Sequence, residues 1–173
     1  MANFNESLVY ILQNEGGYVD IPEDKGGPTN FGVTISTLSA FRKECVTADD
    51  IKNLTKEEAS NIIYHNYYAP LKLSRIENNN IVTCILDAAV LCGMGGAKSI
   101  AEKTLISLMY DTGAEWMDET YVKSFDEVSQ EKFIDRFEVF LMNFFNDIVL
   151  KNPSQAKFLK GWSNRALRLL TLK

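Results

Sequence analysis

The sequence predicts a mostly α-helical domain with one small β-ribbon close to its N-terminus. Three observations carry that prediction. Apolar residues recur at three- and four-residue intervals through most of the chain after Ser36. A segment rich in Gly, Pro and Asp, residues 16–34, interrupts the pattern near the start. Two helix starts are marked by capping-box spacing, Thr47-Ala48-Asp49-Asp50 and Thr55-Lys56-Glu57-Glu58. With 173 residues, 46% of them hydrophobic, the chain is long enough to bury a sizeable core.

Residues 5–14 read as the first helix. Leu8, Ile11 and Leu12 share one face and Glu15 continues it; Asn3 or Asn5 caps the start, and Gly16-Gly17 stops the helix. Residues 16–34 form a long looped segment with a small β-ribbon around Tyr18-Val19 and Phe31–Val33, and long irregular segments inside compact domains are usually functional. A short helix follows over 36–43. Helices then start at Thr47 and Thr55, the second running to about Tyr68 before Pro70 closes it. Residues 80–92 form an apolar helix carrying Ile81, Ile85, Ala88, Ala89 and Leu91, ended by a loop at Gly93-Met94-Gly95-Gly96. Residues 97–109 are helical again, and 111–113 form a turn. Residues 129–150 make a long helix whose Phe133, Phe137, Phe140, Leu141, Phe144 and Phe145 form a core stripe. Asn152-Pro153 breaks it, and Pro153 opens a last helix through about Leu170. The chain shows no internal repeat.

Composition excludes several functions. Eighteen Lys and Arg against 23 Asp and Glu leave a net charge of −5, and nucleic-acid phosphates demand a basic face. Three cysteines (Cys45, Cys84, Cys92) and one histidine (His65) are too few and too scattered for a metal site, so no metal and no cofactor is expected. The cysteines read as buried free thiols of a protein made in a reducing compartment. The N-terminus has no basic n-region followed by an apolar run, so no signal peptide is visible, and no stretch approaches the ~18–20 apolar residues of a membrane span.

The chemistry concentrates around residues 15–34. Glycosidic cleavage needs one carboxylic acid kept protonated and a second group that activates water or stabilises the cationic sugar, in environments that separate their pKa values. Glu15, at the end of a helix on its apolar face, suits the first role, since desolvation favours the neutral acid. Asp24, in a polar Gly-rich loop, suits the second; Asp20 and Glu23 compete with it. Thr29 and Thr34 could hold the nucleophilic water, although Asp and Thr near Gly are also ordinary turn residues.

The run Asn14-Glu15-Gly16-Gly17-Tyr18-Val19, followed by Pro22, Asp24, Gly26-Gly27 and Thr29-Asn30-Phe31-Gly32-Val33-Thr34, resembles the signature of glycoside hydrolase family 108, a group of bacterial and phage muramidases. The resemblance continues through residues 50–59, Tyr67-Tyr68, Asp87-Ala88-Ala89-Val90 with Gly93, and residues 158–165, the last similar to a C-terminal region described as peptidoglycan-binding. It departs at Asn14, where the family often carries His, and at Leu91, where it carries Asn. The resemblance implies a lysozyme-like fold, with a catalytic region over 1–95 and a helical, peptidoglycan-binding C-terminal lobe over 96–173, together one compact unit. It implies Glu15 as general acid and a Glu15, Asp24, Thr29 arrangement similar to the triad of phage-type lysozymes. The implied reaction is hydrolysis of the β-1,4 bond between N-acetylmuramic acid and N-acetylglucosamine. A lytic transglycosylase using Glu15 alone, and a catalytically silent peptidoglycan-binding protein, are the competing readings. The implied partner is the peptidoglycan glycan strand, met by a monomer in the periplasm or wall after holin release or delivery by a secretion system.

Aromatic side chains could add sugar stacking, with Tyr18, Tyr67 and Tyr68 the candidates for substrate binding beside Thr34. Phe31 and Trp116 could stack on sugar faces in the same way. Trp162 and Arg165 read first as core and rim of the last helix, and His65 as an ordinary helix residue. Asp87, on an otherwise apolar helix, would be costly to bury unpaired and is expected to brace a helix as a hydrogen-bond acceptor. The acidic charge denies the protein electrostatic steering towards an anionic wall. A partly deacetylated wall with free amines, or action at high local concentration, would account for it.

Overall fold

The structure, a computed structural model, describes residues 3–14, 17–20 and 27–173. Helix α1 spans Phe4–Asn14. Asn3 rather than Asn5 caps it, its side-chain oxygen accepting from Asn5 N at 3.0 Å. Leu8 and Ile11 turn into the core, as their spacing predicts.

Strands β1 (Thr29–Asn30) and β2 (Val33–Thr34) pair antiparallel, with Thr29 opposite Thr34. Phe31 and Gly32 form the turn, both at positive φ (52° and 74°), the two-residue geometry whose twist suits a tight hairpin. Gly32 adopts it freely; Phe31 bears the strain, and so sits in the turn rather than in a strand as the sequence suggested. Val19 bridges Thr29 from the other side through a pair of 2.8 Å backbone bonds, giving the ribbon a third rung.

Thr34 ends β2 and caps α2 (Ile35–Arg42), accepting from Thr37 N. Thr47 and Asp50 form the full capping box of α3 (Ala48–Lys52). Thr55 caps α4 (Lys56–Ile63), but the carboxylate of Glu58 is taken by Arg42, at 2.7 and 2.8 Å, which ties α4 to α2. A π-helical turn over Tyr64–Tyr68 extends α4.

The central helix α5 runs Asn79–Ser107. The loop expected at 93–96 is not there: Gly93 alone leaves helical geometry (φ 76°, ψ 164°), and the helix resumes at once beyond it. Such a φ/ψ pair is open essentially to glycine, so one residue turns the helix without interrupting it for longer. By length and composition α5 could also cross a membrane, which corrects the expectation that nothing approaches a span. Here its residues 81–89 are all buried inside the protein.

Helix α6 (Glu119–Glu127), capped by Asp118, was not foreseen from the sequence. Helix α7 (Gln130–Lys151) carries the phenylalanine stripe: Phe133, Phe137 and Phe145 are buried, and Phe140 and Phe144 pack partly buried against them. Helix α8 (Ala156–Arg168) follows a 3-10 turn opened by Pro153.

Two apolar cores result. A small one gathers Val33, Leu38, Ile51, Leu54, Ala59 and Ile62 beneath the hairpin. A large one runs from Leu8 in α1 through α5 and α7 to Leu169. Adjacent residues of α4, Ile62 and Ile63, belong to different cores. Position 95, the boundary that the family resemblance implies, falls inside α5, and side chains from both sides of it share the large core.

Candidate active site

Glu15, Asp24 and its competitor Glu23 lie outside the described residues; the structure places the described residues on either side of them in the sequence. The ribbon places the other members. Because Val19, Thr29 and Thr34 are directly opposed, their side chains share one face of the ribbon. Thr34 Oγ1 bonds the hydroxyls of Ser36 (2.9 Å) and Thr37 (3.0 Å) as well as Thr37 N, so its main work is to start α2. Tyr18 is exposed and donates to Asp20 Oδ2 at 3.1 Å. Desolvation and then that bond push the Tyr18 phenol up. Asp20 is thus an exposed carboxylate already holding a ring beside Thr29.

Asn30 was passed over in the sequence, yet it fixes the ribbon. It is buried, and its Nδ2 donates to Ile51 O at 3.0 Å at the C-terminal end of α3, which anchors the hairpin to the small core. Its position between two threonines in a Gly-rich segment was the available signal.

Behind the end of α1 lies a polar network. Asp87, fully buried on α5, accepts from Arg165 of α8 through Nε (3.1 and 3.2 Å) and Nη2 (2.8 Å). The pairing bears out the reading of Asp87 as a bracing acceptor and gives Arg165 a structural partner 78 residues away. Burial raises the Asp87 pKa, and the guanidinium of Arg165, then that of Arg168, oppose it. Arg168 Nη1 donates to Asn14 Oδ1 at 3.1 Å. The Asn14 amide also faces the Tyr10 hydroxyl closely enough to influence its ionisation. It does so without forming a well-shaped hydrogen bond, so Tyr10 Oη and Asn14 Nδ2 are buried and unpaired among the described residues. Burial first, then Asp87, pushes the Tyr10 phenol well above its ordinary range.

Of the tyrosine pair expected to bind sugar, Tyr68 packs beside the start of α1. Tyr68 is only 4% exposed, stacked on Tyr64 (5.5 Å between centroids) and edge-on to Phe4 (5.0 Å). Phe4 opens α1, so at 1.5 Å per residue Tyr68 stands about 15 Å along the helix from Asn14. It is a core residue; Tyr64 is the exposed ring of that cluster. Tyr67 packs half-buried against the same core. Trp116 is held by Leu71 O (3.0 Å) and packs on Tyr121 and Phe125, and Trp162 stacks on Phe145. His65 is exposed beside Tyr64. All three cysteines are free, but Cys45 is exposed, contrary to its expected burial. No group of three or more His, Cys, Asp or Glu among the described residues is placed to hold a metal ion.

A first helix, a small two-stranded ribbon after it and a helical bundle make up a lysozyme-like, mostly α fold. Residues 8–93 match the family model described as Glycosyl hydrolase 108. The N-terminal half of the chain therefore belongs to that family, and the protein is a glycoside hydrolase with a glycan substrate. The solved structure of Brucella abortus SagA is similar along nearly the whole chain: TM-score 0.78, 26% identity, covering 97% of this chain and 91% of that one. No curated protein sequence matches.

Proposed function

We propose that the protein is a muramidase that hydrolyses the β-1,4 bond between N-acetylmuramic acid and N-acetylglucosamine in bacterial peptidoglycan. The observation that carries this reading is the family match over residues 8–93, which spans the complete run from Asn14-Glu15 to Thr34. In this reading Glu15 protonates the leaving oxygen. Asp24 activates a water from the opposite face of the sugar, with Thr29 orienting that water. The ribbon supports the assignment, because Thr29 sits on a strand fixed by Val19, Thr34 and the buried Asn30. Tyr18, exposed next to that rung, is the ring available for stacking on a sugar face. The protein acts on the wall side of the membrane, whichever route takes it there.

Mass spectrometry of purified peptidoglycan digested with the wild type beside Glu15→Gln tests the reading. New reducing muramic acid ends with the wild type alone support it. Anhydro ends would make the enzyme a lytic transglycosylase and remove Asp24 from the mechanism. No release by either protein would leave a glycan-binding protein without catalysis.

A further inference from the structure

Charge is segregated along the chain. Six of the 18 Lys and Arg, and none of the 23 Asp and Glu, lie in residues 151–173, so a protein of net charge −5 carries one strongly basic segment. The fold gathers much of it on one helix face. Lys157, Lys160, Gly161, Asn164, Leu167 and Arg168 recur at three- and four-residue intervals along α8, and all six are exposed. Leu159, Trp162 and Ala166 take the opposite face, against the large core. We propose that the exposed face of α8 is a docking surface for anionic phospholipid, by which the protein lies on a membrane without spanning it.

The cations of this face are available. Of the six basic residues, Arg165 is turned to Asp87 and Lys173 is paired with Asp135. Lys151, Lys157, Lys160 and Arg168 form no ion pair among the described residues. Arg168 donates to a neutral amide, that of Asn14, and so keeps its charge while remaining exposed. The exposed stripe of α8 contains no acidic residue at all.

Three features favour a lipid surface over a glycan strand. Most of these cations are lysines, compact charges on flexible stems that meet phosphate without a fixed geometry. The face offers no open aromatic ring for a sugar: Trp162 stacks on Phe145 at 5.2 Å, and Phe158 leans on Trp162 at 5.8 Å. Finally, apolar side chains stand next to the cations, Leu167 (50% exposed) beside Arg168 and Leu150 (79% exposed) beside Lys151, as in helices that rest in a headgroup layer. The acidic remainder of the protein is repelled by an anionic bilayer, so attachment is confined to the orientation in which α8 faces it. The bidentate hold of Arg165 on the buried Asp87 fixes α8 to α5, so the helix docks as part of the folded protein.

Co-sedimentation of the full chain with vesicles tests the proposal. The wild type should pellet with vesicles of phosphatidylglycerol and phosphatidylcholine in equal parts, and not with phosphatidylcholine alone. Raising salt from about 0.1 M to about 1 M shortens the screening length from ~10 Å to ~3 Å and should release it. The triple variant Lys151→Gln, Lys157→Gln, Lys160→Gln should bind on the order of a hundredfold more weakly, about fivefold for each cation. Lys52→Gln, Lys103→Gln, Lys132→Gln, with the same net charge but an intact α8, should bind like the wild type. Absence of binding to the anionic vesicles overturns the proposal, as does equal binding to phosphatidylcholine or binding that survives high salt. An unaltered α8 triple variant, or equal loss in both triple variants, also overturns it. Capture of the wild type by purified peptidoglycan but not by vesicles would make the face a wall contact instead. The lipid and salt arms need the wild type alone and no catalysis, so they stand apart from the folding of any variant and from the muramidase reading.

Discussion

Replacing Arg165 by Met keeps most of the side-chain volume and leaves the Asp87 carboxylate fully buried without its main counterion. At least three hydrogen bonds disappear, those to Asp87 at 3.1, 3.2 and 2.8 Å. Removing one partner of a buried pair costs about 3–5 kcal/mol, mostly because the remaining charge stays desolvated. For a domain of this size each kcal/mol moves Tm by about 2–4 °C, so a fall of roughly 10 °C is expected. Urea unfolding followed by circular dichroism measures it directly. The sign of the pH dependence follows from burial. Without Arg165, desolvation holds the Asp87 pKa above its unfolded value of about 3.9. A raised group stabilises only below its unfolded value and loses that contribution as pH climbs through the folded one. The gap between wild type and Arg165→Met should therefore narrow towards pH 4 and widen towards neutrality. Combining it with Asp87→Leu should recover most of the loss, since an apolar pair avoids the desolvation penalty altogether. A cost below about 1 kcal/mol for Arg165→Met, or no recovery in the double variant, would refute the view that this pair locks α8 to α5.

Other consequences can be checked alongside. Arg42 holds the Glu58 carboxyl below its ordinary range, first by its hydrogen bond. That stabilisation is present above the unfolded value near 4.3 and is lost as pH falls through the folded one. Wild type and Arg42→Ala should thus differ in Tm at pH 7 and converge in acid. Gly93→Ala forces a side chain into a backbone region reserved for glycine and should cost about 1–3 kcal/mol in urea unfolding; a neutral result would mean that the kink is not needed. Native protein should react with a thiol reagent rapidly at Cys45 alone, with all three thiols reacting after denaturation. Cys84 is buried and Cys92 has its pKa pushed up to about 12 by burial, and fast labelling of either in the native state would contradict their placement.

What the sequence disclosed depended on how locally each feature is encoded. Thr47 and Thr55 announce helix starts because a cap is satisfied within four residues, and the phenylalanine stripe of α7 is visible because burial follows the helical period. The kink at Gly93 was read as a four-residue loop because Gly95 and Gly96 look like breakers, and only packing shows that one residue turns the chain. Helix α6 had a signal that was missed, Asp118 as cap with Tyr121 and Phe125 four apart on one face. Tyr68 could not be assigned from sequence at all, since an aromatic ring that stacks on a sugar and one that stacks on Phe4 and Tyr64 follow the same pattern. The partner of Arg165 was equally hidden, because an ion pair across 78 residues leaves no periodic trace.

The position of Gly93 carries one more implication. The recognisable family segment stops at that residue, in the middle of a continuous helix whose residues 81–89 are sealed by side chains from α7 and from the chain end around Leu169. What recurs as a sequence is therefore smaller than what can fold. A lineage that exchanged everything after residue 93 would also have to supply replacements for Phe133, Phe137 and Arg165. An exchange at that seam would leave the residues 81–89 face of α5 without the side chains that cover it here. For engineering, a graft that respects the motif boundary cuts through the core, whereas one that keeps α5, α7 and α8 together respects the unit that the physics defines.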